Sequence, residues 1–180
     1  MARPAFSRTE RMNLMRHSSL LFLDKVGAHI SFVLAVFAGI TLTAMMLLAC
    51  WNMVGRAIGY PLKGTFELMG FMGAVVAAFS LAYAQQSRSH IFVAFFIARF
   101  KRPVRLALDA AVHLASAAFF IHAGLELEKL AAFIVELGEL SETLQIIYHP
   151  FVWAVCVGCF AMGFVLFISF LKTVLLAEEV

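Results

Sequence analysis

The chain has 180 residues, of which 63% are hydrophobic and 14% charged, with a formal net charge of +3 and three cysteines. A soluble domain is about 45–50% apolar and about 25% charged, and a chain this short has too much surface to bury the surplus. A soluble domain, a disulfide scaffold, a disordered chain and a nucleic-acid binder are thereby excluded, which leaves the bilayer as the solvent.

Residues 1–25 form a basic arm holding Arg3, Arg8, Arg11, Arg16 and Lys25. The apolar run that follows is too long for a signal-peptide core, so an uncleaved first span is expected. It covers about 26–50, with no ionisable side chain between His29 and Arg56. About 20 apolar residues cross the hydrocarbon, and backbone groups in lipid must bond within their own segment, so each such run is read as a helix. The connection Ala57–Phe66 contains Gly59, Pro61 and Gly64 and reads as a turn. Arg56 closes the first span and Glu67 opens the second, which predicts an interfacial salt bridge across this hairpin.

The second span covers about 67–85, and its Gly70, Gly73, Ala74, Ala77 and Ala78 suit close helix packing. Five cations follow, at Arg88, Arg99, Lys101, Arg102 and Arg105, with the Phe- and Ile-rich stretch Ile91–Phe100 among them. That pattern predicts an interfacial helix on anionic lipid. Pro103 suits the first turn of a third span at about 104–128. This span alone carries acids and histidines inside it. Asp109 and His113 share a face near its inner end, and His122 and Glu126 share another face near its outer end. Leu114–Ile121 separates the pairs without an ionisable group, so local pairing or partner contact is expected rather than a proton path.

Apolar positions recur at helical spacing from Leu130 to Ile147, with Glu136, Glu139 and Glu142 opposite. An acidic amphipathic helix over 130–146, broken near Gly138, is the expectation. The fourth span covers about 147–171 and is free of charge after His149. Its Cys156 and Cys159 lie among Ala154, Gly158 and Gly163, and packing explains them better than redox chemistry. The fold class is therefore an all-α integral membrane protein, a single domain of four transmembrane helices with interfacial amphipathic helices. Eleven of the 14 Lys/Arg lie in the arm, the 86–105 connection and the tail, against Arg56, Lys63 and Lys129 elsewhere. The positive-inside rule then places both termini in the cytoplasm. No set of catalytic groups can be assembled, so no enzyme, metal site or cofactor is expected.

The segment from Trp51 to Val93 supplies a resemblance. It carries Arg56 after the first span, the step Pro61-Leu62, Glu67 opening the second span, and His90, Ile91 and Val93 after it. Tyr148-His149-Pro150-Phe151-Val152-Trp153 leads into the last span. These places resemble the small membrane subunit, the Q-type or DctQ-like chain, of tripartite ATP-independent periplasmic (TRAP) transporters. Ser89 and Ala94 depart from that family's glycine and aspartate, and Gly64-Thr65-Phe66 from its usual tryptophan and acids. The resemblance implies a brace in the bacterial inner membrane beside a large M-type subunit. That subunit would carry an organic anion with coupling sodium, and a periplasmic P-type binding protein would deliver the anion. Substrate-binding residues would then lie on other chains. The structural or partner-contact candidates here are Arg56, Tyr60, Pro61, Lys63, Glu67, His90, Asp109, His113, Glu136, Glu139 and Glu142, with lipids as further partners.

Two other readings compete. A self-associating four-helix exporter would resemble the small multidrug-resistance family, which places a membrane-embedded glutamate in its first span, and Ile30–Cys50 has none. A haem-bearing anchor subunit of an oxidoreductase would pair His29 with His113, or His122 with His149, at one depth.

Overall fold

The computed structural model describes residues 8–87 and 102–177. The expected interfacial helix at Ile91–Phe100 and His90 lie outside them. Among the described residues the chain forms four helices, each long and apolar enough to cross a membrane, and no strand. They are α1 (Arg8–Ala57), α2 (Thr65–Gln86), α3 (Arg102–Leu137) and α4 (His149–Ala177). α1, α2 and α3 each contain the apolar run expected of them, and α4 begins two residues after the expected start of the fourth. At 1.5 Å per residue the 22 residues of α2 give about 33 Å, close to the hydrocarbon thickness. α1 and α3, at 50 and 36 residues, run well beyond it.

Both α1 and α3 end in the same way. At the end of α1 the Tyr60 N–H donates to Gly55 O at 2.7 Å, and the Gly59 N–H to Arg56 O at 3.3 Å. At the end of α3 the Glu139 N–H donates to Ile134 O and the Gly138 N–H to Val135 O, both at 3.2 Å. This crossed pair closes a helix when the next residue is left-handed, which Gly59 (φ 84°) and Gly138 (φ 63°) permit without a Cβ penalty. The break expected near Gly138 is therefore real, but no helix follows it. Residues 139–148 form an irregular loop closed by an antiparallel bridge between Leu140 and Ile147. The helical spacing past Gly138 marks no buried helix face: Leu140 and Ile147 pair across the bridge and stay 48% and 57% exposed, and Leu144 alone packs, against Gly64.

The core lies along α4, which packs against all three other helices. Small residues set the crossings, because without a hydrophobic drive in lipid the helices gain by close approach. A Cβ on Gly158 would fall 2.7 Å from that of Ala78 on α2, and one on Gly163 would fall 2.8 Å from the Ile121 side chain on α3. Gly124 of α3 lies beneath the Phe160 ring, and the Cys156 thiol donates to Gly124 O at 3.2 Å. The packing role expected of Ala78, Gly158 and Gly163 holds. Gly70 and Gly73 depart from it, since no atom lies near where their Cβ would be and they contribute nothing to the internal packing.

Candidate functional site: the locked connections and the polar face of the third helix

The 58–64 connection folds back on α1, where the Leu62 N–H donates to Asn52 Oδ1 at 3.2 Å. Thr65, buried at the start of α2, donates its hydroxyl to Leu62 O at 3.0 Å. Glu67 stands in the first turn of α2, where the helix dipole favours an acid. The expected salt bridge from Glu67 to Arg56 is not formed. Its Oε2 instead accepts the N–H of Leu144 at 3.1 Å and of Thr143 at 3.3 Å. Those donors are fixed in a turn and have no ladder partner, so the carboxylate satisfies two orphan groups that a flexible guanidinium does not need. Arg56 stays exposed in the last turn of α1, where a cation is favoured by the same dipole.

Gly64 completes the joint. It is left-handed (φ 71°), and a Cβ there would lie 2.3 Å from Leu144 Cγ. Phe71 stacks on Tyr148 at 5.5 Å and on Phe151 at 5.4 Å between ring centroids. The Tyr148 hydroxyl donates to Glu139 Oε2 at 2.6 Å, and this bond to a carboxylate holds the phenol above its ordinary pKa. Two connections distant in sequence therefore form one unit. Of the acids expected to meet partners, Glu136 and Glu142 are exposed and free of such bonds, whereas Glu139 is engaged by Tyr148. Tyr60, Pro61 and Lys63 are exposed, Tyr60 by 81%.

The other end of the bundle is tied by residues that sequence reasoning passed over. Lys172 of α4 forms an ion pair with Asp24 of α1. Gln86 Nε2 of α2 reaches Asp24 O at 3.5 Å. The signal available was that Asp24 and Lys172 border their apolar runs on the same expected side. Asp109 and His113 also differ from expectation in detail. The imidazole meets the backbone oxygen of Asp109, at 2.6 Å, rather than its carboxylate.

His122 and Glu126, expected close to the end of their helix, lie well before its end at Leu137. Gly124 of α3 packs within Cys156–Phe160 of α4, and Gly158 in that stretch touches Ala78 of α2. Ala78 is about 20 Å from the start of α2 and about 12 Å from its end. Glu126, two residues further along α3 than Gly124, therefore lies within the length of α2 rather than beyond its end. The cause is that α3 continues past Glu128 to Leu137 and packs on α4 along the way. At 100° per residue His122, Glu126 and Lys129 lie opposite the seam of Ala117, Gly124 and Ala131, and all three are exposed. Lys129 Nζ donates to Glu126 Oε1 at 2.7 Å, with side-chain exposures of 71% and 53%. A charge at the centre of a spanning helix costs about 2.5–3.5 kcal/mol on insertion scales.

The haem pairings fare badly on the same geometry. His149 starts α4 while His122 lies level with Phe160 and its neighbours, a separation of about 16 Å along the axis. His29 and His113 sit on α1 and α3, which pack on α4 rather than on each other. Among the described residues no group of three or more His, Cys, Asp or Glu converges as a metal site.

Comparison with known families matches residues 45–176, most of the chain, to one described as "Tripartite ATP-independent periplasmic transporters, DctQ component". No curated protein and no solved structure matches the chain significantly.

Proposed function

From the premise that this chain belongs to the DctQ component family of tripartite ATP-independent periplasmic transporters, we propose that it is a static brace. In this reading it holds the scaffold of a large sodium-coupled permease subunit in the inner membrane, while a periplasmic binding protein delivers an organic anion to that subunit. Both termini face the cytoplasm, as the distribution of eleven cations against three favours.

The observation that carries this reading is the tying of the bundle at both ends. Glu67 and Gly64 join the two helical hairpins at one end, and Asp24, Gln86 and Lys172 join α1, α2 and α4 at the other. A carrier that moves across the bilayer needs a partner that does not. Several side chains between these ties are large and apolar on the outside of α1 and α3, such as Phe32, Phe37 and Ile40, or Val112 and Phe119. Such surfaces suit lipid or a neighbouring protein, not an anion.

Proteoliposomes test it. The purified chain alone should leave every tested carboxylate and sulfonate untransported. Uptake should appear only when the large subunit and the binding protein are added with a sodium gradient. Uptake of an organic anion by the chain alone would refute the proposal.

A further inference from the structure

We propose that the outward face of α3, centred on His122, Glu126 and Lys129, is the seat of a membrane helix of the large permease component, which meets it with polar side chains. The inference rests on the functional reading above and adds to it the surface that does the docking.

Gly124, on the opposite side of α3 from these residues, is level with Gly158 and Ala78, well inside the length of α2. At this depth the outward faces of the neighbouring helices suit lipid. α1 presents Val36, Phe37 and Ile40, and α2 presents Ala74, Ala77 and Leu81. Among the described residues, only α3 places charged side chains on an exposed face there. Glu126 and Lys129 satisfy each other in part, but the ammonium has three donors and the carboxylate two oxygens, and one bond joins them. Hydrocarbon can supply none of the remaining partners. A helix of another protein can, and exposures of 71% and 53% leave both groups open to it. Phe119 and Phe133 flank the polar groups on the same face, exposed by 67% and 56%. They would frame the contact with apolar area.

Those two phenylalanines are also the probes. The full chain, co-expressed with the large permease component and the binding protein, would carry a photoreactive phenylalanine at position 119, 133 or 37. Illumination in native membranes should join the chain to the large component from 119 and 133, at least tenfold more than from 37 on the outside of α1. Adducts only with lipid from 119 and 133 would overturn the proposal, and so would adducts between two copies of this chain. Adducts from 37 alone would also overturn it while leaving the functional reading intact. Absence of the large component from every adduct and from the co-purified material would overturn both.

A second measurement covers disruption of the fold. Glu126→Leu together with Lys129→Leu should lower the co-purified large component at least tenfold, while the isolated chain keeps its helical content and thermal midpoint. Glu126→Gln with Lys129→Gln should restore part of the loss. Unchanged recovery in the leucine variant would overturn the assignment.

Discussion

Gly64→Ala should weaken the joint between the two helical hairpins more than any other single methyl added to a connection. Two terms add. The backbone there is left-handed, φ 71°, which costs a residue bearing a Cβ about 1–2 kcal/mol. The new methyl would also lie 2.3–2.9 Å from Cγ, Cδ1 and Cδ2 of Leu144, so that side chain must move, and overpacking of this kind costs about 1–3 kcal/mol. The expected loss is about 2–5 kcal/mol, or at least 4 °C in Tm for a chain of this size. Gly59→Ala separates the terms, because φ there is 84° but nothing lies within 4 Å of its Cβ position. It should show the conformational cost alone. Thermal unfolding of the purified chain in detergent, followed by circular dichroism, reads all three proteins. Leu144→Ala added to Gly64→Ala should recover much of the difference between the two glycine variants, as expected of residues in direct contact. Equal losses in Gly59→Ala and Gly64→Ala, with no recovery, would refute the interlock.

Other outcomes follow from the same geometry. Glu67→Gln keeps the shape but replaces charge-assisted bonds to Thr143 and Leu144 by neutral ones, so it should cost about 1 kcal/mol and speed hydrogen exchange at those two amides. Gly158→Ala puts a methyl 2.7–2.9 Å from Ala78, backbone included, and should destabilise by about 1–3 kcal/mol. Gly70→Ala, on an open helical face, should instead be neutral or stabilise by about 0.5–1 kcal/mol, seen as a higher Tm. Tyr148 is the pH-dependent case. Its pKa is raised in the folded chain by Glu139, so the stability it contributes is fully present below about pH 10 and is lost as pH rises through the folded value. With Tyr60 and Tyr83 changed to Phe, phenolate absorbance should titrate above the ordinary tyrosine range, and Glu139→Gln should bring it back down.

The four apolar runs, the turn residues and the packing glycines at Gly158 and Gly163 were legible because each follows from local composition. Lipid demands internal hydrogen bonds, so an apolar run of sufficient length has one solution. The family resemblance was legible for a similar reason, since Arg56, Pro61, Glu67 and the approach to the last span punctuate those runs. Helix periodicity misled at 139–147. Period 3.6 reports a shared face only where a helix forms, and past the left-handed Gly138 Leu140 and Ile147 pair across a bridge and stay exposed.

Composition by itself settled that this is a membrane protein, because no other solvent accepts so much apolar surface on so few residues, and the four separate apolar runs settled the number of helices. Only tertiary structure could decide which partner Glu67 takes and how deep Glu126 sits. The first depends on orphan N–H groups in a loop 76 residues away, and the second on how far α3 slides along α4. Spacing along one helix carries no information about its register on the next. That register arises from the contacts of Gly124, Gly158 and Gly163, which exist only once the helices have packed.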